Sequence, residues 1–334
     1  MSKKARMAAA AVTMVASAAA AAPAMGATVT VTGDDGATPV PIANGSTTAL
    51  RNMKADVNVQ PASGERYRLA VTGPAGQAAA SLDCYSIPTG DRLDYLGNGN
   101  YTGTLQVYTT SGCSGAPKST ITFTIAVNAS VAISMPSAAK ALMRQPGGTS
   151  ITHPIPVAQN PGALSTQVHY ARNAALGPDG GIVGASERAY VDAATGVANI
   201  TFFEPGSYTL VAHAEAFTSG MFSPWSPPVT LQVLAPFEFS GGVSFPDSRG
   251  PVYKLRATLR DKGGKGKVKI LMARGWKGGK FRSIGKAKIR GRVITKTFTQ
   301  HQVGKYRIRY VYKGSKLIAP GKITQKITIR RRFF

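Results

Sequence analysis

The chain has 334 residues, which is enough for two or three domains that each bury a hydrophobic core of their own. It carries 40 basic and 15 acidic residues, so its formal net charge is +25 at pH 7, and 43% of its residues are hydrophobic. After the N-terminus no segment is long and apolar enough to cross a bilayer as a helix, which excludes a protein with several membrane-spanning helices.

The first 27 residues have the order of a secretory signal peptide. Its parts are a basic start with Lys3, Lys4 and Arg6, an apolar run over residues 7–22, and small residues up to 27. Cleavage after Ala24 and cleavage after Ala27 both fit the sequence. An uncleaved anchor is the alternative, but the run is mostly alanine and a bilayer needs about 20 apolar residues. We therefore predict an exported protein, secreted and associated with the cell surface, with no transmembrane segment in the mature chain.

Short segments in which apolar and polar residues alternate recur between turn residues, and this period of two predicts β-strands. The clearest are TVTVTG (28–33), TITFTIAV (120–127), ANITFF (198–203), VTLQVL (229–234) and KITQKITI (322–329). No convincing amphipathic helix of ten residues follows the signal segment. Strands at short, regular spacing with Gly, Pro and Asn turns predict an all-β protein built of sandwiches or barrels.

The only two cysteines, Cys84 and Cys113, predict a disulfide. An exported chain folds in an oxidising compartment, where an even cysteine count favours pairing. Two cysteines without a neighbouring histidine or a second cysteine pair make a poor metal site. We expect the bridge to stabilise the first domain, and we expect neither a metal nor a cofactor.

A glycine–tyrosine unit recurs three times, at Tyr101, Tyr208 and Tyr306. Each time an alternating strand follows the tyrosine, then a loop of about ten residues, then a second alternating strand. The spacing of about 100 residues matches one immunoglobulin-type sandwich. We therefore predict three tandem sandwiches: 28–129 with the disulfide, 130–235, and 236–334.

The second repeat resembles the last two strands of a fibronectin type III domain. The resemblance depends on Tyr208, Leu210 and Ala212, followed by the segment SPWSPPVT at 223–230. The first and third units resemble, more loosely, the immunoglobulin-like modules of bacterial secreted multi-domain proteins. Such resemblances imply spacing, adhesion or recognition rather than catalysis, and they do not assign a ligand.

The positive charge is concentrated at the C-terminal end of the chain. Residues 27–235 contain 10 basic and 12 acidic residues, whereas residues 236–334 contain 27 basic and 3 acidic ones. Such segregation bears on partners and solubility rather than on fold. We therefore look for a site in the third domain.

The cations of the third domain alternate with apolar residues, so we expect them on the outer face of its strands. In an immunoglobulin-type topology three of these strands share one sheet, and their outward side chains form a predicted polyanion-binding patch: Lys267, Lys269, Arg307, Arg309, Lys326 and Arg330. Solvated charges that prevent strand-edge aggregation are the alternative interpretation. The predicted partner is an anionic polymer of the cell envelope or an anionic lipid surface. Nucleic acid is a chemically acceptable polyanion, but no recognition motif favours it.

The sequence offers no recognisable catalytic motif, and we predict a protein that is not an enzyme. Its four histidines form no zinc-binding pattern, and neither a nucleophile elbow nor a phosphate-binding glycine loop is present. Trp225 fits a core position in the fibronectin-like strand pattern, and Trp276 shares the inward parity of Val268, Ile270 and Met272, although either ring can stack on a sugar. The alternative function is recognition of a protein or a glycan through loops of the first two domains, with the basic domain as a solubilising stalk.

Overall fold

The structure is a computed structural model that describes residues 27–33, 40–42, 47–50, 53–136, 138–159, 163–244 and 251–330. These residues form 24 β-strands and no helix, which confirms the all-β prediction. The described residues therefore contain no helix that is long and apolar enough to cross a membrane. The predicted signal peptide lies outside the described residues, apart from Ala27.

The first unit is a sandwich of a four-stranded and a five-stranded sheet. Its strands are β1 (Thr28–Gly33), β2 (Val40–Ile42), β3 (Thr47–Leu50), β4 (Ala55–Gln60), β5 (Arg66–Thr72), β6 (Ala78–Tyr85), β7 (Thr89–Leu93), β8 (Gly99–Tyr108) and β9 (Ser119–Val127). The strand order is β2-β1-β4-β7 in one sheet and β3-β9-β8-β5-β6 in the other. All of these contacts are antiparallel except that between β3 and β9.

The second unit is one eight-stranded sheet that folds over on itself. Its strands are β10 (Ala132–Ile133), β11 (Ala139–Leu142), β12 (Thr152–Ala158), β13 (Ala163–Arg172), β14 (Glu187–Asp192), β15 (Val197–Thr201), β16 (Gly206–Ala216) and β17 (Val229–Leu234). Their order is β10-β12-β15-β14-β13-β16-β17-β11. The sheet can fold because β14 pairs with β13 through its first four residues and with β15 through its last two.

The third unit repeats this plan with seven strands. They are β18 (Phe239–Ser244), β19 (Val252–Leu259), β20 (Lys267–Arg274), β21 (Arg282–Arg290), β22 (Val293–Thr299), β23 (Gly304–Tyr312) and β24 (Gly321–Ile329), in the order β18-β19-β22-β21-β20-β23-β24. Here β21 is the strand that pairs with both halves, with β20 along most of its length and with β22 at Ile289 and Arg290.

The three units share one strand order, which confirms three tandem immunoglobulin-like sandwiches. In the first, second and third units, one half of the sandwich holds β1-β4-β7, β10-β12-β15 and β18-β19-β22, respectively. The other half holds β6-β5-β8-β9, β14-β13-β16-β17 and β21-β20-β23-β24 in the same order of units.

The repeated tyrosines are tyrosine corners of the kind found in immunoglobulin-type sandwiches. Each hydroxyl donates to the carbonyl oxygen four residues upstream: Tyr101 to Gly97 at 2.8 Å, Tyr208 to Glu204 at 3.0 Å, and Tyr306 to Gln302 at 2.8 Å. The recurring glycine–tyrosine unit therefore marks the same corner in each sandwich.

The cores follow the alternation expected from the pleat, with every second residue buried in strands such as β4, β5, β19 and β23. The buried apolar residues of the first two units form one continuous cluster, and those of the third unit form a separate cluster. The domain boundaries near residues 129 and 235 stay a prediction.

The predicted disulfide between Cys84 and Cys113 is confirmed. Cys84 lies near the end of β6, an edge strand, and Cys113 lies in the loop that connects β8 to β9. The bridge therefore ties an edge strand to a loop of the same half of the first sandwich, rather than joining the two sheets through the core.

Candidate anion-binding face

Four neighbouring strands of the third unit, β21, β20, β23 and β24, present a cationic outer surface. Along β23 the tyrosines and Ile308 are buried, while the residues between them point away from the core. We call ten outward basic residues, nine on these strands and Arg330 just after β24, the cationic face: Lys267, Lys269, Lys286, Lys288, Lys305, Arg307, Arg309, Lys322, Lys326 and Arg330. The burial pattern of the strands follows from the alternation of apolar and basic residues in the sequence.

The structure places all six residues of the predicted patch on this face, but it spreads them out. Arg307 lies directly opposite Lys326 on the adjacent strand. Lys267 comes just before the pair Val268–Tyr312, and Arg330 comes just after Ile329, which pairs with Gly304. Projected onto β23, Lys267 and Arg330 are about ten residues apart, which is about 33 Å along a strand. The face is therefore a long stripe suited to an extended ligand rather than a closed pocket.

No carboxylate compensates the charge of this stripe among the described residues. Of the three acidic residues after position 236, Asp247 lies outside the described part of the chain. The other two, Glu238 and Asp261, accept hydrogen bonds from Arg144 of the second unit at 2.7 Å and 2.6 Å. Both acids are therefore engaged at the junction with the preceding unit, away from the cationic face.

Two aromatic rings lie among the cations of the face, both contributed by the connection between β20 and β21. The Trp276 ring has the Lys305 Nζ at 4.1 Å and the Lys326 Nζ at 5.7 Å from its centroid. The Phe281 ring has the Cζ atoms of Arg309 at 3.9 Å and Arg307 at 5.0 Å. These distances are those of cation–π contacts.

The prediction that Trp276 belongs to the core is wrong, because 43% of its surface is exposed. Strand parity fails at this point since β20 ends at Arg274 and the chain turns at Gly275, whose φ is +82°. The left-handed backbone breaks the alternation that would have placed the indole inside. Trp225 is half-buried rather than core, and it stacks on the ring of His213 at 4.0 Å.

Arg307 holds the loop that carries the two rings. Its Nε donates to the Gly275 carbonyl at 3.1 Å, and its Nη2 lies 3.4 Å from the Gly279 carbonyl. The Gly275 amide in turn donates to the Lys305 carbonyl at 2.7 Å. Gly279 has a φ of +65°, and a Cβ there would lie 2.6 Å from the Arg274 carbonyl oxygen. Arg307 therefore positions the loop in addition to contributing charge.

The predicted patch left out several members of this site. Lys286, Lys288, Lys305 and Lys322 lie on the face outside the predicted patch, although the alternation of their segments carries the same signal. Phe281 carries no sequence signal, because only the fold of the loop brings it over Arg309.

Outside this face, the described residues hold few groups that could bind a metal or catalyse a reaction. They contain no group of three or more His, Cys, Asp or Glu side chains that could hold a metal ion. A cavity of about 470 Å³ in the second unit is lined by Glu187 and Glu204 but by no histidine. Glu187 accepts a hydrogen bond from the Tyr170 hydroxyl at 2.7 Å, and Glu204 pairs with Arg172. Both carboxylates are thus already bound within the protein.

A histidine is stacked in the second unit. His213 lies between Phe222 and Trp225, with ring centroids at 4.5 Å and 4.0 Å, and the His169 ring meets it edge-on at 5.0 Å. Burial, and then the proximity of His169, lowers the pKa of His213 to about 4. Burial likewise lowers the pKa of His169. The stack therefore favours neutral imidazoles.

No protein-family model and no curated protein matches the sequence. Among solved structures, the three-domain titin fragment I67–I69 is 12% identical and covers 86% of this chain and 97% of its own, with a TM-score of 0.32. A tetra-tandem repeat from the extending region of a large adhesion protein is 13% identical, covers 85% and 74%, and has a TM-score of 0.29. The FN1–FN3 domains of chicken CNTN1 are 9% identical, cover 84% and 96%, and have a TM-score of 0.27. At such identities and scores, these neighbours assign neither ligand nor activity.

Proposed function

We propose that this chain is a non-catalytic, exported protein of the cell surface whose third unit contacts an anionic envelope polymer or an anionic membrane surface. The observation that carries the proposal is the cationic face, where outward basic residues of four adjacent strands meet no carboxylate within the described residues. An attraction of this kind is screened by salt and sums over many weak contacts.

The distribution of charge within the third unit supports binding over simple solubility. On the other half of that sandwich, the outward residues of β19 and β22 include Lys254 and Arg256, which lie opposite Thr297 and Thr295. Solubility alone is served by mixed charges on all sides. Here like charges are instead crowded on one half, where they lie directly opposite each other at Lys267–Lys288 and Arg307–Lys326. Such pairs are mildly destabilising, and binding of a ligand that neutralises them offsets this repulsion.

The test is retention of the full chain on cells washed at rising salt, with two matched variants. Lys269→Gln/Lys322→Gln removes two charges from the cationic face, and Lys254→Gln/Arg256→Gln removes two from the opposite half. We expect the face variant to be released at lower salt than the parent, and the opposite variant to behave like the parent. If retention does not change with salt concentration, or if both variants are released equally, the cationic face is not the surface that contacts the cell.

A further inference from the structure

We propose that the part of the cationic face around β23 binds a linear acidic polysaccharide, with a sugar ring stacked on Trp276 and its carboxylates held by the flanking basic side chains. This inference rests on the proposed function, because it names the class of polyanion that the face takes.

The surroundings of Trp276 indicate a ligand that is a ring and an anion at once. The indole is 43% exposed, and two ammonium groups, those of Lys305 and Lys326, lie 4.1 Å and 5.7 Å from its centre. An exposed aromatic surface binds the apolar side of another ring, whereas the lysines need a negative group within a few ångströms. A sugar ring that carries a carboxylate meets both requirements.

A second cluster of a ring with basic side chains follows along β23, although its ring is half-buried. Phe281 lies against Arg309 at 3.9 Å and Arg307 at 5.0 Å, whereas Trp276 lies against Lys305 of the same strand. Lys305 is three residues from the midpoint of the arginine pair, which is about 10 Å along a strand. Two ring-and-cation clusters in succession favour a chain of repeating units over a single small anion.

The loop that carries both rings is fixed before any ligand arrives. Arg307 donates to its carbonyls at Gly275 and Gly279, and the Gly275 amide donates to the Lys305 carbonyl at 2.7 Å. A pre-positioned ring loses little side-chain freedom on binding, which favours a stacking contact.

A lipid bilayer fits this end of the face less well. Among the described residues after position 236, the exposed large hydrophobic side chains are Trp276, Val252 and Val303. Val252 begins β19, which belongs to the opposite half of the sandwich. Within the described residues, one indole and one valine offer too little apolar surface to enter the acyl boundary, since interfacial binding scales with the apolar area buried.

The experiment measures binding of the chain without its predicted signal segment to four probes. These are polygalacturonate, linear polyphosphate, neutral dextran, and vesicles of phosphatidylglycerol and phosphatidylcholine. The variant Trp276→Leu removes the ring without changing the charge, and Lys269→Gln/Lys322→Gln removes charge without touching a ring. Circular dichroism and the unfolding midpoint show that each variant is folded.

We expect Trp276→Leu to weaken polygalacturonate binding roughly tenfold, the size of one good stacking contact, and to change polyphosphate binding less than twofold. The lysine variant is expected to weaken both polyanions, and dextran is expected not to bind. Equal effects of Trp276→Leu on both polyanions, or dextran binding as tight as polygalacturonate binding, would overturn the inference.

The outcomes also separate this inference from the proposed function. Polyphosphate or vesicle binding without polygalacturonate binding overturns the acidic polysaccharide and leaves a general anionic contact standing. Absence of binding to all three anionic probes at low salt overturns both.

Discussion

Lys269 and Lys286 lie directly opposite each other on β20 and β21, with both side chains on the exposed face. Like charges in this position repel, so each such pair is destabilising relative to a neutral pair. Lys267 and Lys288 form a second pair of the same kind. The third unit therefore folds against a repulsion that a polyanion would relieve.

The substitution Lys286→Glu is expected to stabilise the third unit and to weaken its binding to anions. It replaces repulsion of Lys269 by attraction, so the free energy of unfolding should rise by about 0.5–1.5 kcal/mol at low salt. Urea unfolding followed through Trp276 fluorescence in a Trp225→Phe background measures this rise. Lys286→Gln should give about half of it, and added salt should shrink both differences. A loss of stability in Lys286→Glu at low salt would contradict the repulsion.

Removal of the disulfide should destabilise the first unit selectively. Cys84 and Cys113 are 29 residues apart, and the chain-entropy model gives about 3–4 kcal/mol for closing a loop of that size. Because the first two units share one continuous cluster of buried residues, calorimetry of Cys84→Ala/Cys113→Ala should show the transition that includes the first unit at lower temperature and that of the third unit unchanged. Equal shifts of both transitions would mean that the separate cores do not unfold separately.

The outward residues of the third unit could be predicted from the sequence because a strand has a strict period of two. Once β20, β23 and β24 are recognised, the parity of Lys269, Arg307 and Lys326 follows without knowledge of the loops. The strand order of the sandwich then brings these strands together, as the structure shows.

The aromatic part of the site could not be predicted in this way. The position of Trp276 depends on left-handed glycines and on hydrogen bonds from Arg307, which is 32 residues from Gly275 in the chain. Parity rules end where the strand ends, so they placed Trp276 inside when it lies outside. From the sequence, only the general ability of an indole to stack on a sugar pointed to the position.

Substitution of Arg144 is expected to weaken the contact between the second and third units. This role was not predicted from the sequence. The Arg144 guanidinium is buried, and it binds Glu238 and Asp261, which are 94 and 117 residues away. Arg144→Met leaves two largely buried carboxylates without this partner, which should cost about 3 kcal/mol. Arg260 remains 3.5 Å from Glu238, so the substitution destabilises the Asp261 carboxylate more than that of Glu238.

Limited proteolysis between residues 235 and 251 and calorimetry check the Arg144 prediction. Arg144→Met should speed cleavage there and lower the unfolding temperature. Arg144→Lys keeps one cation near the two acids and should lie between the parent and Arg144→Met. Unchanged proteolysis and calorimetry in Arg144→Met would show that this ion pair does not hold the units together.

The stacked histidine predicts that the second unit loses stability in mild acid. The pKa of His213 is about 4 in the folded chain, because burial and the neighbouring His169 disfavour its charge, whereas an unfolded histidine has a pKa near 6.5. Between these values the unfolded state binds the extra proton, so stability is full above about pH 6.5 and falls as the pH drops towards 4.

From pH 7 to pH 5 this loss should amount to about 2 kcal/mol. Urea unfolding followed through Trp225 in a Trp276→Phe background measures it. His213→Phe keeps a ring between Phe222 and Trp225, and it should remove most of the loss while leaving the smaller contribution of His169, whose pKa is also lowered. An equal loss in parent and variant would show that the proton goes elsewhere.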